Sequence, residues 1–251
     1  MCGRYTLKTP ADELAEAFDL RALPELEARW NVSPSQLGLV VPNEPLPAGE
    51  DGAPGGRGGR MMRWGLMPSW LRGPPKVAPP VNARAETIAE KPYFRGAFRH
   101  HRCLVLCDGY YEWHVHRGPD GRPAKTPFYL TRPDGGPMAF AGLWQQLYEP
   151  NGLGGLIESY CLITTTPNAD VAPIHDRMPV LLDAAGIRRW LGEEPASPDA
   201  LHALLRPAPD GSLVAWAVSN RVNSPRYEGP ELIAPLAEPF RTGPRQGELF
   251  E

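Results

Sequence analysis

The sequence predicts an α+β fold, a single domain with a largely antiparallel, barrel-like β core and a few peripheral helices. Short apolar, β-prone runs outnumber helical patterns, and turn signals such as Pro119-Asp120-Gly121 and Pro133-Asp134-Gly135-Gly136 separate them. The regular strand–helix–strand alternation that builds a parallel sheet is missing from the pattern. Composition agrees with a folded, water-soluble chain: 251 residues, 42% hydrophobic and 22% charged. Such values exclude a collagen-like or disordered protein, and this length supports a core that needs no disulfide staples. No apolar stretch approaches the roughly 20 residues that cross a bilayer, so no membrane partner is expected.

In chain order, an extended N-terminal stretch leads to a helix over 10–18. Thr9 offers it a capping hydroxyl, Pro10 a first-turn proline, Asp12 an early acid, and Leu14, Ala17 and Phe18 an apolar stripe. Val32-Ser33-Pro34 runs toward a strand at 38–41. Residues 42–59 are almost entirely Pro, Gly and charge, and are expected to form a mobile loop inserted in the domain. Strand character resumes at Met61, the proline-rich run 73–80 is extended, and 85–100 is helical with a break near Pro92. Further strands are expected at 103–107, 128–130, 138–143, 160–165, 180–182 and 214–218, with helices at 184–191 and 198–205, the second capped by Ser197. The domain should span 2–236, followed by a flexible C-terminal tail over 237–251. The opening residues carry early charge and no secretory pattern, so a reducing cytoplasm and a monomer are the expectations.

The net charge of −3 argues against a general nucleic-acid binder. Between Arg57 and Leu104, however, Arg57, Arg60, Arg63, Arg72, Lys76, Arg84, Lys91, Arg95, Arg99 and Arg102 face only Glu86 and Glu90. A segment of that kind either steers a polyanion or forms a solvated basic face. Of the four cysteines, Cys103, Cys107 and Cys161 sit inside apolar runs and are expected as buried thiols. None has a second pair or a histidine at zinc spacing, so neither a metal nor another cofactor is expected.

Cys2 has a distinct chemistry. Removal of Met1 would leave an amine and a thiol on one residue, with reference pKa values of about 7.7–8.0 and 8.5. A 1,2-aminothiol condenses with an aldehyde to an imine, which the sulfur closes into a thiazolidine. Taken alone, the position is better read as an incidental small residue. Asn82, Arg84 and Glu86 stand at alternate positions and face one side if extended, a set that suits a phosphate and a polarised oxygen, or a surface turn with an ion pair. Glu112 lies between Tyr111 and Trp113, where lost hydration would raise its pKa toward general acid/base use. His175, in Pro173-Ile174-His175-Asp176-Arg177-Met178-Pro179, is flanked by an acid, a base and rigid prolines that suggest positioning.

These pieces occur in a fixed order: Met-Cys-Gly-Arg, Asn-Val-Ser-Pro, Trp-Gly-Leu-Met-Pro, Asn-Ala-Arg-Ala-Glu-Thr, Asp-Gly-Tyr-Tyr-Glu-Trp, Ile-His-Asp-Arg-Met-Pro and Val-Ser-Asn-Arg-Val-Asn. Together they resemble the SRAP family, the SOS response-associated peptidases or abasic-site processing proteins, over residues 2–236. The resemblance implies a protein that crosslinks itself to abasic sites in single-stranded DNA and shields them in the DNA damage response. It implies Cys2 as nucleophile after autocatalytic or aminopeptidase removal of Met1, with Asn82, Glu112 and His175 completing the active site. Arg4, Arg84 and Arg177 match the family's phosphate contacts, and Asn31, Ser33, Pro34 and Trp70 its DNA-bending and stacking surface. The chain departs from the pattern at Leu71, where a second aromatic often follows Trp70. Two other readings compete: a cysteine peptidase or N-terminal-nucleophile hydrolase acting in trans, and a non-covalent single-strand binder. The terminal pattern Gln246, Leu249, Phe250 resembles peptides that dock on a replication sliding clamp, or it is an uninvolved tail.

Overall fold

Apolar residues that follow one another along a strand need cover on both faces, and this fold supplies it with two cores. The structure, a computed structural model, describes residues 2–48, 55–72, 75–118, 121–148 and 155–236. The chain runs β1 (Arg4–Leu7), α1 (Ala11–Phe18), β2 (Leu20–Ala22), β3 (Arg29–Val32), β4 (Leu37–Pro42), β5 (Arg57–Gly58), β6 (Arg60–Trp64) and β7 (Asn82–Arg84). It continues through α2 (Arg95–His100), β8 (Arg102–Cys107), β9 (Gly109–Arg117), β10 (Pro123–Thr131), β11 (Met138–Tyr148) and β12 (Leu156–Thr165). The last described elements are β13 (Met178–Pro179), α3 (Ala184–Leu191), α4 (Pro198–Ala203) and β14 (Val214–Ala217).

Strands β11, β8, β4, β6 and β12 pair in that order, and β12 pairs back onto β11, closing a five-stranded barrel. Its pairings are antiparallel except β6 with β12. Beyond the barrel, β12 takes β7 in parallel register, Leu162 opposite Asn82 and Thr164 opposite Arg84, and then β13. A second, antiparallel sheet runs β14-β10-β9-β1-β3, and β2 with β5 forms a short parallel pair. The expected α+β, mostly antiparallel barrel is what forms.

Alternation along the barrel strands separates the two cores. On β8, Leu104 and Leu106 face a core roofed by Leu14 and Phe18 of α1, Phe98 of α2, Trp190 of α3 and Leu201 of α4. Cys103, Val105 and Cys107 face the other, which takes Tyr5, Tyr110, Phe128 and Cys2 from the second sheet and its entry. The three expected core thiols are therefore buried, Cys161 in the first core and the other two in the second.

Several local expectations gave way to distant partners. Thr9 does not cap α1; its hydroxyl and the Lys8 amide both donate to the buried Asp108 carboxylate, and the helix starts after Pro10. Residues 109–117, whose mix of polar and aromatic side chains carries no strand pattern, are themselves strand β9, paired to β1 on one edge and β10 on the other. The strand expected at 180–182 is instead β13 at Met178–Pro179 with a single bridge from Leu181 to Phe140. Within 42–59, Pro42 ends β4 and Arg57–Gly58 pairs with β2, while residues 49–54 lie outside the described residues. The expected tail over 237–251, with Gln246, Leu249 and Phe250, also lies outside them.

The two sheets meet at the Tyr5 and Tyr160 hydroxyls, which share a 2.6 Å hydrogen bond against the backbone of Gly38. A methyl group at residue 38 would run into both hydroxyls. Gly38→Ala is therefore expected to lower stability by about 1–3 kcal/mol, the usual cost of overpacking, read as a lower urea midpoint with the slope unchanged. An unaltered midpoint would contradict this packing.

Candidate active site

Strand β1 pairs on both edges, to β3 and β9, with Arg4 opposite Tyr111 and Tyr5 opposite Tyr110. Two residues upstream of Arg4, Cys2 is thereby drawn into the second core, with only 1% of its surface exposed. Its thiol points at the Arg4 carbonyl, 3.8 Å away, and its own carbonyl accepts a 2.8 Å hydrogen bond from Asn82 Nδ2. The parallel pairing of β7 with β12 fixes Asn82 there. Asn82 Oδ1 is buried without a hydrogen-bond partner among the described residues.

Tyr110 and Glu112 are two apart on β9 and so share a strand face. Glu112 is 1% exposed, and burial lifts its pKa to about 7, Asp176 adding to the rise, while the chain's amino-terminal charge and the Trp113 amide oppose it. Burial, with Glu112 next, also pushes the Cys2 thiol well above the usual range, which keeps the sulfur protonated at rest. The Tyr110 hydroxyl is fully buried, lacks a hydrogen-bond partner among the described residues, and is held neutral by burial and by its proximity to Cys2 and Glu112.

His175 ends the turns that follow β12, its amide bonded to the Val171 carbonyl. Its Nε2 stands 3.7 Å from Glu112 Oε2, too long for a direct hydrogen bond. On the other side, Nδ1 accepts the Arg177 amide at 3.0 Å, and the exposed Asp176 carboxylate lies 3.0 Å from the same nitrogen. The Arg177 amide asks Nδ1 for a lone pair and the Asp176 carboxylate asks it for a proton, so the ring can carry its proton on either nitrogen, with Nε2 facing Glu112. An acid that titrates near neutrality and an imidazole facing it form a pair suited to moving protons beside Cys2.

The sequence singled out Asn82, Arg84 and Glu86 in one segment and His175 and Arg177 in another, and the structure joins the two. Arg177 Nη1 and Nη2 grip the Glu86 carboxylate at 2.6 and 2.9 Å, and Nη2 also donates to the Thr164 carbonyl at 2.6 Å. Arg84 is exposed on β7. Arg4 has inward partners: Nη1 bonds Asn31 Oδ1 at 2.8 Å and the Val222 carbonyl at 2.7 Å, and Nη2 the Asn223 carbonyl at 3.1 Å. Buried Asn31 holds the same segment through the Ser224 and Tyr227 carbonyls, 3.0 Å each. Ser33 is buried with its amide on Gln36, and Pro34 is exposed beside it. Trp70 is 56% exposed, its ring edge-on to Tyr93 at 5.9 Å, outside the set of groups that touch Cys2.

Sequence reasoning missed Tyr110, although its place two residues before Glu112 on a strand would have indicated it. It also missed that Trp113 Nε1 donates to Asn223 Oδ1 at 2.7 Å, which ties the strand of Glu112 to the segment that Arg4 holds. That tie joins residues more than a hundred positions apart and leaves no mark in local sequence.

The chain is similar in sequence and fold to known proteins. The abasic site processing protein YoqW of Bacillus subtilis (strain 168) is 37% identical over 93% of this chain and 99% of its own length. The abasic site processing protein YedK of Escherichia coli (strain K12) is 27% identical over 94% of this chain and all of its own. A solved structure of a protein from Bacteroides thetaiotaomicron superposes with a TM-score of 0.74 at 24% identity, covering 94% of this chain and 100% of that one, which shows the shared fold. Residues 1–225 match the family described as SOS response associated peptidase (SRAP), and the chain belongs to that family.

Proposed function

We propose that this chain is an abasic-site processing enzyme that joins Cys2 covalently to the sugar aldehyde of an abasic site in single-stranded DNA. The observation that carries the reading is the placement of Cys2, buried and held by Asn82, next to a carboxyl group that titrates near neutrality. Cleavage after Met1 frees the amine. The unpartnered Oδ1 of Asn82, on the same side chain that holds the Cys2 carbonyl, is suited to accept from that amine.

An abasic sugar interconverts between a closed hemiacetal and an open aldehyde. His175 Nε2 and Glu112 are suited to move the proton that ring opening requires at C1′. The amine adds to C1′ to give a carbinolamine, and protonated Glu112 donates to the departing hydroxyl, so that water leaves and an imine remains. The Cys2 S–H then adds across the C=N bond: carbon–sulfur forms, the proton passes to nitrogen, and the thiazolidine closes. Holding the reacting groups on one residue makes closure intramolecular. A high thiol pKa suits this order, because the proton leaves sulfur only as the ring forms. Without the sulfur, the imine can lose the 3′ phosphate by β-elimination, a lyase outcome that cuts the strand.

Exposed Arg84 and Arg4, whose partners are neutral oxygens, supply positive charge near the site for the DNA backbone, and Arg177 must release Glu86 to reach a phosphate; such contacts make initial binding salt-sensitive and largely sequence-independent. Approach to a buried residue 2 favours a kinked single strand over an intact duplex.

Processed protein incubated with an abasic single-stranded oligonucleotide and then denatured should give a shifted, heat-stable band that Cys2→Ala abolishes. A band that survives in Cys2→Ala would point to a different nucleophile, and none from the wild type would favour a peptidase or a non-covalent binder.

Because the acid form of Glu112 is the donor, the single-turnover rate should fall as pH rises through about 7. Glu112→Gln keeps the shape but cannot give up a proton. It should remove that inflection and slow the reaction by roughly 10²–10⁴-fold, the usual share of general acid/base catalysis. Stopped-time gels across pH 5.5–9 on both proteins check it; an identical alkaline limb in the variant would assign the inflection elsewhere.

A further inference from the structure

Two buried polar atoms around Cys2, Asn82 Oδ1 and the Tyr110 hydroxyl, have no hydrogen-bond partner among the described residues. The proposed chemistry gives the first to the freed amine and leaves the second unused. A phenol taken wholly out of water without a partner lowers stability, and a ring without the hydroxyl would avoid that loss. Folded interiors keep few such groups, so one beside a nucleophile calls for a reason.

The hydroxyl has little freedom to turn elsewhere. Tyr110 is fully buried, and its backbone is paired on both sides, to Tyr5 on β1 and to Leu130 on β10. Its ring stands edge-on to Phe140 at 5.7 Å, in the core that also takes Cys2, Phe128, Val171 and Ile174. Glu112 follows two residues later on the same face of β9. After burial itself, Cys2 and then Glu112 weigh most on the phenol, ahead of Cys107 and Asp170, and together they hold its pKa well above the ordinary range. The group therefore stays protonated at neutral pH, where it gives a hydrogen bond and cannot act as a base.

The atom that needs such a donor follows from the shape of the adduct. C1′ must come within bonding distance of the Cys2 nitrogen, so its oxygen lies one bond further, beside the same residue. As the amine attacks, the nitrogen lone pair forms the C–N bond and the carbonyl π pair moves onto oxygen. The proton lost by nitrogen ends on that oxygen as the carbinolamine hydroxyl. Negative charge grows on the oxygen before the proton arrives, and a fixed donor in a water-poor site stabilises it most there.

We infer that Tyr110 is a further catalytic residue, its hydroxyl donating a hydrogen bond to the C1′ oxygen of the abasic aldehyde and to the alkoxide that grows on it. The phenol keeps its proton throughout, and Glu112 remains the acid that releases the hydroxyl as water. This rests on the proposed crosslinking chemistry and adds to it a donor dedicated to the carbonyl oxygen.

Tyr110→Phe tests it, because it keeps the ring and removes only the oxygen. The urea midpoint should equal or exceed that of the wild type; a lower one would show that the hydroxyl is already bonded within the protein, and would overturn the inference. In single-turnover gels with an abasic single-stranded oligonucleotide, the variant should form adduct roughly 10²-fold more slowly, a usual loss on removing one such donor. The fall in rate through about pH 7 should persist, since it belongs to Glu112. Fluorescence anisotropy with a lesion-free oligonucleotide, which offers no aldehyde, should give the wild-type affinity. Borohydride added at early times traps the imine and locates the defect: in the variant the imine should be delayed as much as the final adduct. Adduct formed at the wild-type rate, or imine formed at that rate with only ring closure slowed, would overturn the role at the C1′ oxygen. Absence of any adduct from the wild type would instead overturn the proposed function, and the inference with it.

Discussion

Strand β1 is hydrogen-bonded on both edges, and this double pairing is what holds residue 2 inside the protein rather than at its surface. The ends of most chains fray because nothing binds their backbone groups. Here Asp108 takes the Lys8 amide and the Thr9 hydroxyl at one end of β1, while Arg4 and Asn31 tie the other to residues 222–227. Residue 2 is thus held with the rigidity of a sheet interior, and the geometry of Cys2, Asn82 and Glu112 follows from it.

Burial then tunes each group in the direction the proposed chemistry needs. The carboxyl of Glu112 loses hydration and keeps its proton toward neutral pH, and the Cys2 thiol stays protonated for the same reason. Arg177 takes no part in that burial directly. By gripping Glu86 and the Thr164 carbonyl while its amide holds His175 Nδ1, it positions the imidazole that faces Glu112. Two short motifs, one around Asn82 and one around His175, are therefore a single unit joined by one ion pair.

What could be read in advance divides along the range of the interactions. Runs such as 103–107 and 160–165 are legible because burial on both faces leaves them continuously apolar. Gly109–Arg117 is not, since its polar and aromatic residues resemble a functional loop and only its neighbours β1 and β10 make it a strand. Arg57–Gly58 pairs through backbone alone and carries no side-chain pattern. At the site, Glu112 and His175 stand out by their flanks, whereas Cys2 is singled out only through the family resemblance. The inward attachment of Arg4 leaves no such mark, because its carbonyl partners lie over two hundred residues away. The basic segment shows the same limit: Arg102 contributes to its charge in sequence, yet in space it ties the C-terminal carbonyls of two helices together.

The claim at the centre of this account is that the nitrogen and the sulfur of Cys2 both end up bonded to one sugar carbon. Peptide mass spectrometry of the adduct, after borohydride and then iodoacetamide treatment, tests it directly. A thiazolidine predicts an N-terminal peptide beginning at Cys2 that carries the sugar remnant, resists reduction and takes no alkyl group on sulfur. A sugar-bearing peptide that is reduced by borohydride and alkylated at Cys2, or one that still begins with Met1, would contradict it.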